Sequence, residues 1–397
     1  MNSCFLDSNK KSSCCGCKAC ASVCNHNAIT FYFDEEGFWY PQIDEGKCVF
    51  CNKCRNVCPL NDDVIPIIKD ENQTYAAFSK SDEVLRRSAS GGMFSVISDY
   101  ILTGGGVLFG HVYDEDCNCY CISGDSQEDR NKMCGSKYVQ SDMRDIFRTI
   151  KDYVNTGRKV LFTGTPCQID AVKKYLGKGE YENFMTMGLV CHGVPSPKIF
   201  KEYIIEEEKK VGKKIKEVIF RSKEKGWTKP LRKFVYKDGN VAAELLNADA
   251  FNNLFQGTDC ILRPSCYECR YAGKKRIEDI TVADFWGIQN KHPDMFNDNK
   301  GVSLVLVNTK RGLDLFEKIK QNLVYKQVPL VDAQYKNIPL VRPVKPFKLR
   351  DKVFMEYKKY GSGYILKKYI RRKRILSSFP VRMIRKVLRV FKRLITK

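Results

Sequence analysis

Short apolar runs alternate with amphipathic stretches through the middle of the chain, between about residue 74 and residue 345. Helical patterns occur at 92–102 and 141–155. Runs rich in β-branched residues predict strands at 107–110, 159–164, 184–191, 279–285 and 302–309. Because strands that are buried on both faces are continuously apolar, this alternation predicts an α/β core domain with a mixed sheet.

The first sixty residues are rich in cysteine and contain one internal repeat. Residues 14–25 and 48–59 share the same cysteine spacing about 34 residues apart, as expected when one supersecondary unit is used twice. Strand-like stretches at 29–33 and 38–43 lie between the copies and predict a hairpin. We therefore expect an α+β ferredoxin-like N-terminal module over 1–64, the core domain over 74–345 and a tail over 346–397.

The tail carries most of the positive charge of the chain. The net charge is +22, but 357–397 hold fifteen Lys or Arg and no acidic residue, which leaves +7 for the remainder. Apolar residues recur at helical spacing over 380–397, and Pro380 suits the first position of a helix. We expect a basic amphipathic helix at an anionic membrane surface. A helix packed on the core and an acidic partner stay open, and no nucleic acid is expected.

Length and composition favour a cytoplasmic protein. The chain has 397 residues, of which 43% are hydrophobic, and no run of about eighteen apolar residues. Its first fifteen residues are polar and do not resemble a secretory signal. The nineteen cysteines are therefore expected to be reduced or bound to metal, with the tail bringing the protein to the inner face of the cell membrane.

The repeated N-terminal motif has the spacing of bacterial two-cluster ferredoxins. In such motifs three cysteines of a loop hold one cluster, and the fourth reaches the other cluster. Two 4Fe-4S clusters are predicted, one held by Cys14, Cys17, Cys20 and Cys58, the other by Cys48, Cys51, Cys54 and Cys24. The second run ends in Pro59, whereas Asn25 stands at that place after the first run, which costs no ligand. Zinc is the alternative, although its sites normally pair two shorter knuckles.

A second and less regular set of cysteines lies in the core. Cys167 and Cys191 each follow a predicted strand, and Cys266 and Cys269 form a C-x2-C pair. Strand ends that meet at one edge of a sheet can gather ligands there. From spacing alone, a third metal site and ordinary buried thiols both stay open. Two further cysteines, Cys134 and Cys260, are able to replace one of the four.

Glycine-rich loops form the third group of candidates. They lie at 88–94, 103–106, 135–141 and 164–168, and none is a GxGxxG motif or a P-loop. Backbone N–H groups at helix starts suit a phosphate, with Lys137 as a candidate cation, and simple turns are the alternative. Among the four histidines, His192 beside Cys191 is a candidate proton donor. No pattern of a hydrolase is present.

Taken together, these motifs resemble the beta-subunit family of the coenzyme F420 hydrogenases and dehydrogenases, in its bacterial branch with a fused ferredoxin domain. The resemblance spans about residues 14 to 310. It is carried by SASGGMFS, GGGVLFGHVYD, CGSKYVQSDM, KVLFTGTPCQIDAV, LVCHGVPSP, CYECRYAG, DITVADFWGI and GVSLVLVNT. The sequence after Cys191, His-Gly-Val-Pro, departs from the archaeal hydrogenases, so the deazaflavin coenzyme is not necessarily the substrate.

The resemblance implies FAD beside a third 4Fe-4S cluster. The cluster ligands would be Cys167, Cys191, Cys266 and Cys269. Flavin contacts by analogy would be Ser90, Gly91, Gly92, Ser136, Lys137, Tyr138, Thr163, Gly164 and Thr165. A flavin takes two electrons as hydride and releases them singly, which a lone cluster cannot do.

The function expected from sequence is a flavin-dependent iron-sulfur oxidoreductase acting on an organic substrate of unknown identity. Its electron donor would be a low-potential source such as ferredoxin, a deazaflavin or a nicotinamide. A role in cell-surface polysaccharide metabolism follows from the tail and from the bacterial resemblance. The alternatives are a non-catalytic subunit that relays electrons to a partner enzyme and, more remotely, a zinc-stabilised interaction protein.

Overall fold

The fold is taken from a computed structural model that describes residues 4–61, 73–177, 179 and 181–376, with side chains to 369. Its strands form one sheet of eight strands, one of three and one of two. They are β1 (Ile29–Phe33), β2 (Trp39–Ile43), β3 (Thr74–Ser79), β4 (Val107–Tyr113), β5 (Cys119–Gly124), β6 (Val160–Gly164), β7 (Phe184–Leu189), β8 (Ile215–Ser222), β9 (Leu231–Tyr236), β10 (Val241–Leu245), β11 (Ile280–Asp284), β12 (Ser303–Val307) and β13 (Leu323–Gln327).

The described α-helices surround these sheets. In chain order they are α1 (Phe5–Ser8), α2 (Ala19–Ser22), α3 (Lys53–Asn56), α4 (Asp82–Arg87), α5 (Met93–Thr103), α6 (Gln127–Met133), α7 (Ile146–Asn155), α8 (Pro166–Leu176), α9 (Pro197–Val211), α10 (Ala250–Asn252), α11 (Pro264–Tyr267), α12 (Ile288–Lys291), α13 (Lys310–Ile319), α14 (Leu330–Gln334), α15 (Arg350–Tyr360) and α16 (Ser362–Leu376).

The eight-stranded sheet confirms the predicted α/β core with a mixed sheet. Its strand order is β13-β3-β12-β11-β7-β6-β4-β5. The four strands β4, β6, β7 and β11 run parallel, while the strands toward both edges are antiparallel. Every residue of β6 is buried, because helices cover both faces of the sheet centre. The carboxyl ends of the parallel strands consequently lie along one edge, where the chain turns carry the candidate residues.

The N-terminal module is a small two-stranded unit that packs against the core. The predicted hairpin is confirmed, with Ile29 paired to Ile43 and Phe33 to Trp39. Phe5, Phe38 and Tyr40 form its own small apolar cluster. The indole of Trp39 donates to the Gly16 carbonyl at 2.8 Å, which ties the hairpin to the first cysteine loop.

A three-stranded antiparallel sheet made of β8, β9 and β10 lies between α9 and the segment that follows β10, and the sequence patterns did not indicate it. Its strands carry charged residues at intervals, as in Ile215–Ser222, and only one of their faces is buried. Phe220 and Phe234 pack with Tyr203 of α9 and with Ile365 of α16. The described part of α15 and α16 therefore belongs to the same apolar core as this sheet.

The basic helix predicted over 380–397 lies outside the described residues. Among those that are described, no helix is both long and apolar enough to cross a membrane.

Candidate iron-sulfur and flavin sites

The two N-terminal cysteine loops share the same backbone shape as well as the same spacing. Gly16 and Lys18 in the first loop have φ values of 71° and 65°, and Phe50 and Asn52 take the equivalent places in the second with 53° and 59°. Helices α2 and α3 begin directly after these left-handed residues. Such a turn curls the loop and points several cysteines inward, as a cluster requires.

The first loop is joined by a cysteine of the second run, as the ferredoxin rule predicts. One pocket is lined by Cys14, Cys17, Cys20 and Cys58 together. Cys58 reaches this pocket from the end of α3, which packs against α2. The structure thus brings together the four residues predicted for one cluster. Cys54, which was predicted for the other cluster, lines the same pocket. The division of the ligands between two clusters, with Cys48, Cys51, Cys54 and Cys24 as the second set, remains a prediction.

Two cysteines that we left unassigned also line this pocket. Cys4 is buried and its Sγ donates to Asp7 Oδ2 at 3.1 Å. Its side-chain hydrogen bond with Cys58 and its burial raise the pKa of the Cys4 thiol. The thiol of Cys15 lies close enough to those of Cys17 in the first loop and Cys167 in the core to shift their pKa values. The first cysteine loop therefore lies beside the core cysteine set.

The four core cysteines come together from three separate segments. Cys167 lies in the first turn of α8, which Thr165 and Gln168 start with a reciprocal capping box. Cys191 follows β7, whose carboxyl end lies beside that of β6. A bridge between Pro195 and Leu262, and a contact of 3.4 Å from Val194 N to Cys266 Sγ, place the third segment against the second.

The charges that these core thiols would carry act strongly on one another. Burial, followed by repulsion from Cys266, Cys167 and Cys269, raises the pKa of Cys191 well above its ordinary value. Burial is also the first cause that raises the pKa of Cys266 to about 12 and that of Cys269 to about 11. The four thiols are half-buried, and their mutual repulsion keeps them protonated; a compensating positive group would favour the thiolate forms, and the iron of a cluster would supply one. The donor set therefore fits a 4Fe-4S cluster.

In the described part of the chain, no group of three or more His, Cys, Asp or Glu is placed to hold a single metal ion. A four-iron cluster is larger than one ion, so its ligands stand farther apart. Cys260 and Cys134 were alternatives for a core ligand. The Cys260 thiol bonds to Thr258 and to the Leu254 carbonyl instead, and that of Cys134 lies 3.6 Å from Ser95 Oγ.

Arg263 joins the first cysteine loop to the core. It is fully buried, and its guanidinium donates to Cys14 O at 2.7 Å, Gln140 Oε1 at 3.1 Å and Trp39 O at 2.9 Å. The same side chain lies three residues before Cys266, within electrostatic range of its thiol. Arg263 thus links the backbone of the first cysteine loop to the segment that carries Cys266.

The predicted flavin loops also meet at one edge of the large sheet. Ser90 and Gly91 precede α5 and bond to Val302 and Ser303, next to the start of β12. A Cβ on Gly91 would lie 2.5 Å from the Ala77 carbonyl, so close packing between β3 and β12 requires glycine there. Gly92 is left-handed, with a φ of 89°.

His111 contacts the segment that follows the 135–138 loop as well as the 163–165 loop, so the two loops lie near each other. Its ring nitrogens bond to Ser141 Oγ at 2.7 Å and to the Thr163 carbonyl at 3.1 Å. Burial, and then the nearby charge of Lys137, lower the pKa of His111 to about 4. The Lys137 ammonium itself donates to backbone carbonyls at the end of α6, including Met133 O at 2.8 Å. Among the remaining predicted contacts, Ser136 bridges to Phe220, Thr163 Oγ1 donates to Phe109 O, and Gly164 ends β6.

Sequence reasoning missed the residues that connect these loops. Arg221 pairs with Asp284 at 3.0 Å, stacks at 4.8 Å on Trp286 and interacts with Tyr138. Trp286 stacks in turn on Trp227 with ring centroids 5.0 Å apart. The DFWG segment was noticed only as a motif, and Arg221 lies near the end of β8, an amphipathic strand that carries no signature.

His192 has a carboxylate partner. Its Nε2 lies 2.6 Å from Asp259 Oδ1, and its ring meets the edge of Phe255 at 5.7 Å. Phe255 also contacts Tyr138. His192 is therefore connected by packing to the 135–138 loop, on the side of Cys191.

These features define the class of the protein, an α/β protein with an N-terminal iron-sulfur module that transfers electrons. Residues 13–61 match the model of the 4Fe-4S dicluster domain. Residues 157–333 match the model for the C terminus of the coenzyme F420 hydrogenase/dehydrogenase beta subunit. The chain thus carries a domain of this hydrogenase/dehydrogenase beta-subunit family, and a dicluster domain precedes it.

Among solved structures, the chain is similar to a chain of the F420-reducing NiFe hydrogenase complex from Methanosarcina barkeri. The two share 19% identity over 75% of this chain and 91% of the other, with a TM-score of 0.44. No curated protein matches the sequence.

Proposed function

We propose that this protein is a flavin-dependent iron-sulfur oxidoreductase with three clusters in line. Electrons from a low-potential donor would enter at the N-terminal clusters, pass to a core cluster and reach FAD, which exchanges a hydride with an organic substrate. The hydrogen bond from Arg263 to the Cys14 carbonyl at 2.7 Å carries this proposal, because Arg263 lies three residues before Cys266 and so sets the first cluster loop beside the core cysteines. The ligands are those predicted from sequence: eight N-terminal cysteines, and Cys167, Cys191, Cys266 and Cys269 in the core.

FAD would supply the change from two-electron to one-electron chemistry when bound. The chain would hold it with the loops around Ser90, Ser136 and Thr163 that converge at the sheet edge. Arg221 and Trp286 supply a buried cation and an aromatic face beside these loops. His192, oriented by Asp259, would hold a proton at its ring for the organic substrate. Ferredoxin, a deazaflavin or a nicotinamide source would be suitable donors.

Cofactor content tests this proposal. Anaerobically purified protein is expected to contain about twelve iron ions and one FAD per chain, because three four-iron clusters are held beside one flavin. Iron, acid-labile sulfide and released flavin are measured on the same sample. About eight iron ions without flavin would contradict the enzyme proposal and favour a relay subunit, for which the matched beta-subunit model is the supporting observation. Zinc in place of iron would contradict both.

We further propose that the tail brings the enzyme to the inner face of the cell membrane, where the substrate would be a precursor of cell-surface polysaccharide. The apolar and basic pattern of 380–397 supports the location. Full-length protein is expected to float with vesicles of anionic lipid, whereas a 1–375 truncation stays at the bottom of the gradient. Neutral vesicles serve as the control. Equal flotation of both proteins would exclude the tail as the anchor.

A further inference from the structure

One buried arginine beside the core cysteines has donors that the protein does not use. Arg276 is 4% exposed and follows the Cys266 and Cys269 pair by a few residues. Its Nη1 donates to the carbonyls of Tyr271 at 2.7 Å and Lys275 at 2.8 Å, which fixes the guanidinium in place. Its Nε and Nη2 have no hydrogen-bond partner among the described residues.

Arg276 is close to the core cysteines. Its charge is within electrostatic range of Cys269 and Cys191, which come from different segments of the set. The nearest carboxylate, Glu278, lies 3.9 Å from Nε, which is too far for a hydrogen bond. Glu278 Oε1 is already bonded to the Thr281 hydroxyl at 2.6 Å. The ion pair with Glu278 therefore leaves Nε and Nη2 of Arg276 without a hydrogen-bond acceptor.

A buried donor without a partner is costly, so its place in a native structure calls for an acceptor. We propose that Arg276 donates hydrogen bonds through Nε and Nη2 to the sulfurs of the core 4Fe-4S cluster and thereby raises its reduction potential. This inference rests on the core cluster of the proposed function. Arg276 acts here as a positioning residue for the cluster, and it binds neither substrate nor iron.

The direction of the effect follows from charge. The core cluster receives one electron from an N-terminal cluster and becomes one unit more negative, with no proton transferred. A guanidinium at the sulfurs stabilises the reduced form more than the oxidised form, because hydrogen bonds and nearby charge set the potential of such clusters. Two other arginines lie near the set. Each of the three guanidinium nitrogens of Arg263 has an oxygen acceptor, and Arg270, which follows Cys269, is half-buried and donates to Pro59 O at 3.1 Å. Of the three, Arg276 is the one with buried donors that lack a partner among the described residues.

The test is an anaerobic redox titration of the full chain, followed by electron paramagnetic resonance, for wild type, Arg276→Gln, Arg276→Lys and Lys275→Gln. The core signal is identified as the one that a Cys269→Ala variant lacks. Arg276→Gln is expected to shift the reduction equilibrium of the core cluster at least tenfold toward the oxidised form, or about 59 mV for a one-electron couple. Arg276→Lys shifts it less. Lys275→Gln removes an equal charge from the exposed neighbouring residue and leaves the potential unchanged.

Three outcomes are distinguishable. An unchanged core potential in Arg276→Gln, with wild-type iron content, overturns the role of Arg276 and leaves the proposed function intact. A wild-type protein with about eight iron ions and no core signal refutes the core cluster itself. If Arg276→Gln does not assemble, pulsed electron paramagnetic resonance on wild type with 15N-labelled arginine decides. A coupling between the core signal and an arginine nitrogen, lost in Arg276→Lys, supports the proposal. Absence of that coupling in wild type overturns it.

Discussion

Replacement of Arg263 by alanine is expected to lower the free energy of unfolding by about 3–5 kcal/mol, because three buried oxygen acceptors each lose a charged donor. Those acceptors belong to Cys14, Trp39 and Gln140, so the loss separates the N-terminal module from the core. The side chain also stacks over Tyr40 at 4.4 Å. The measurement is the urea midpoint under anaerobic conditions, followed by tryptophan fluorescence.

Arg342→Ala is the matched control. Arg342 is exposed and donates only to the adjacent Pro343 carbonyl at 3.0 Å, so its loss should change stability by less than about 0.5 kcal/mol. Arg263→Lys tests geometry at constant charge, since one ammonium does not reach three acceptors in fixed directions. Similar midpoints for the Arg263→Ala and Arg342→Ala proteins would show that Arg263 does not join the two parts.

The elements of the core were predictable where burial makes the pattern simple. The strands at β4, β6, β7, β11 and β12 appear as mainly apolar runs because helices or loops cover both faces, so few polar residues, such as Thr186 and Thr281, interrupt them. Helix α5 was expected at 92–102 and is observed over Met93–Thr103. The hairpin of the N-terminal module was located correctly because its turn is short and its strands are apolar.

The elements that were missed depend on contacts between distant segments. The exposure of the side chains alternates along β10, Val241–Leu245, and none of them is buried. The sequence of this strand therefore resembles that of a loop. The place of β10 in the three-stranded sheet comes from its pairing with β9, which no local sequence pattern predicts. The order of the strands in the large sheet likewise depends on pairing between β3 and β12, which are separated by most of the core.

The residues of the candidate site also differ in how far the sequence alone could predict them. Regular spacing identified the N-terminal cysteines, because three of each cluster's ligands lie on one loop. The core set was identifiable as candidates only, since Cys167, Cys191 and the Cys266 pair meet through the ends of β6 and β7 and the Pro195 bridge. Arg221 and Arg276 carried no signal, because an arginine's function here depends on which side chains lie beside it after folding.

Replacement of Cys191 by alanine is expected to remove one whole cluster, about four iron ions per chain, while the N-terminal clusters are retained. Among the four predicted core ligands, Cys191 is the one that lies in the loop after β7. Reduction of the flavin by a low-potential donor should then fall by at least about a hundredfold, because the path from the N-terminal module is broken at its middle. Iron content and the rate of flavin reduction are measured on the same preparation.

Cys260→Ala is the matched control for Cys191→Ala. Cys260 is deeply buried and close in sequence to Cys266, but its thiol is bonded to Thr258 and Leu254. Its loss should cost about 1 kcal/mol in packing and no iron. If Cys260→Ala loses four iron ions and Cys191→Ala none, then Cys260 is the core ligand. The cluster would then lie away from the first cysteine loop, and direct transfer from the first cluster would lose its structural basis.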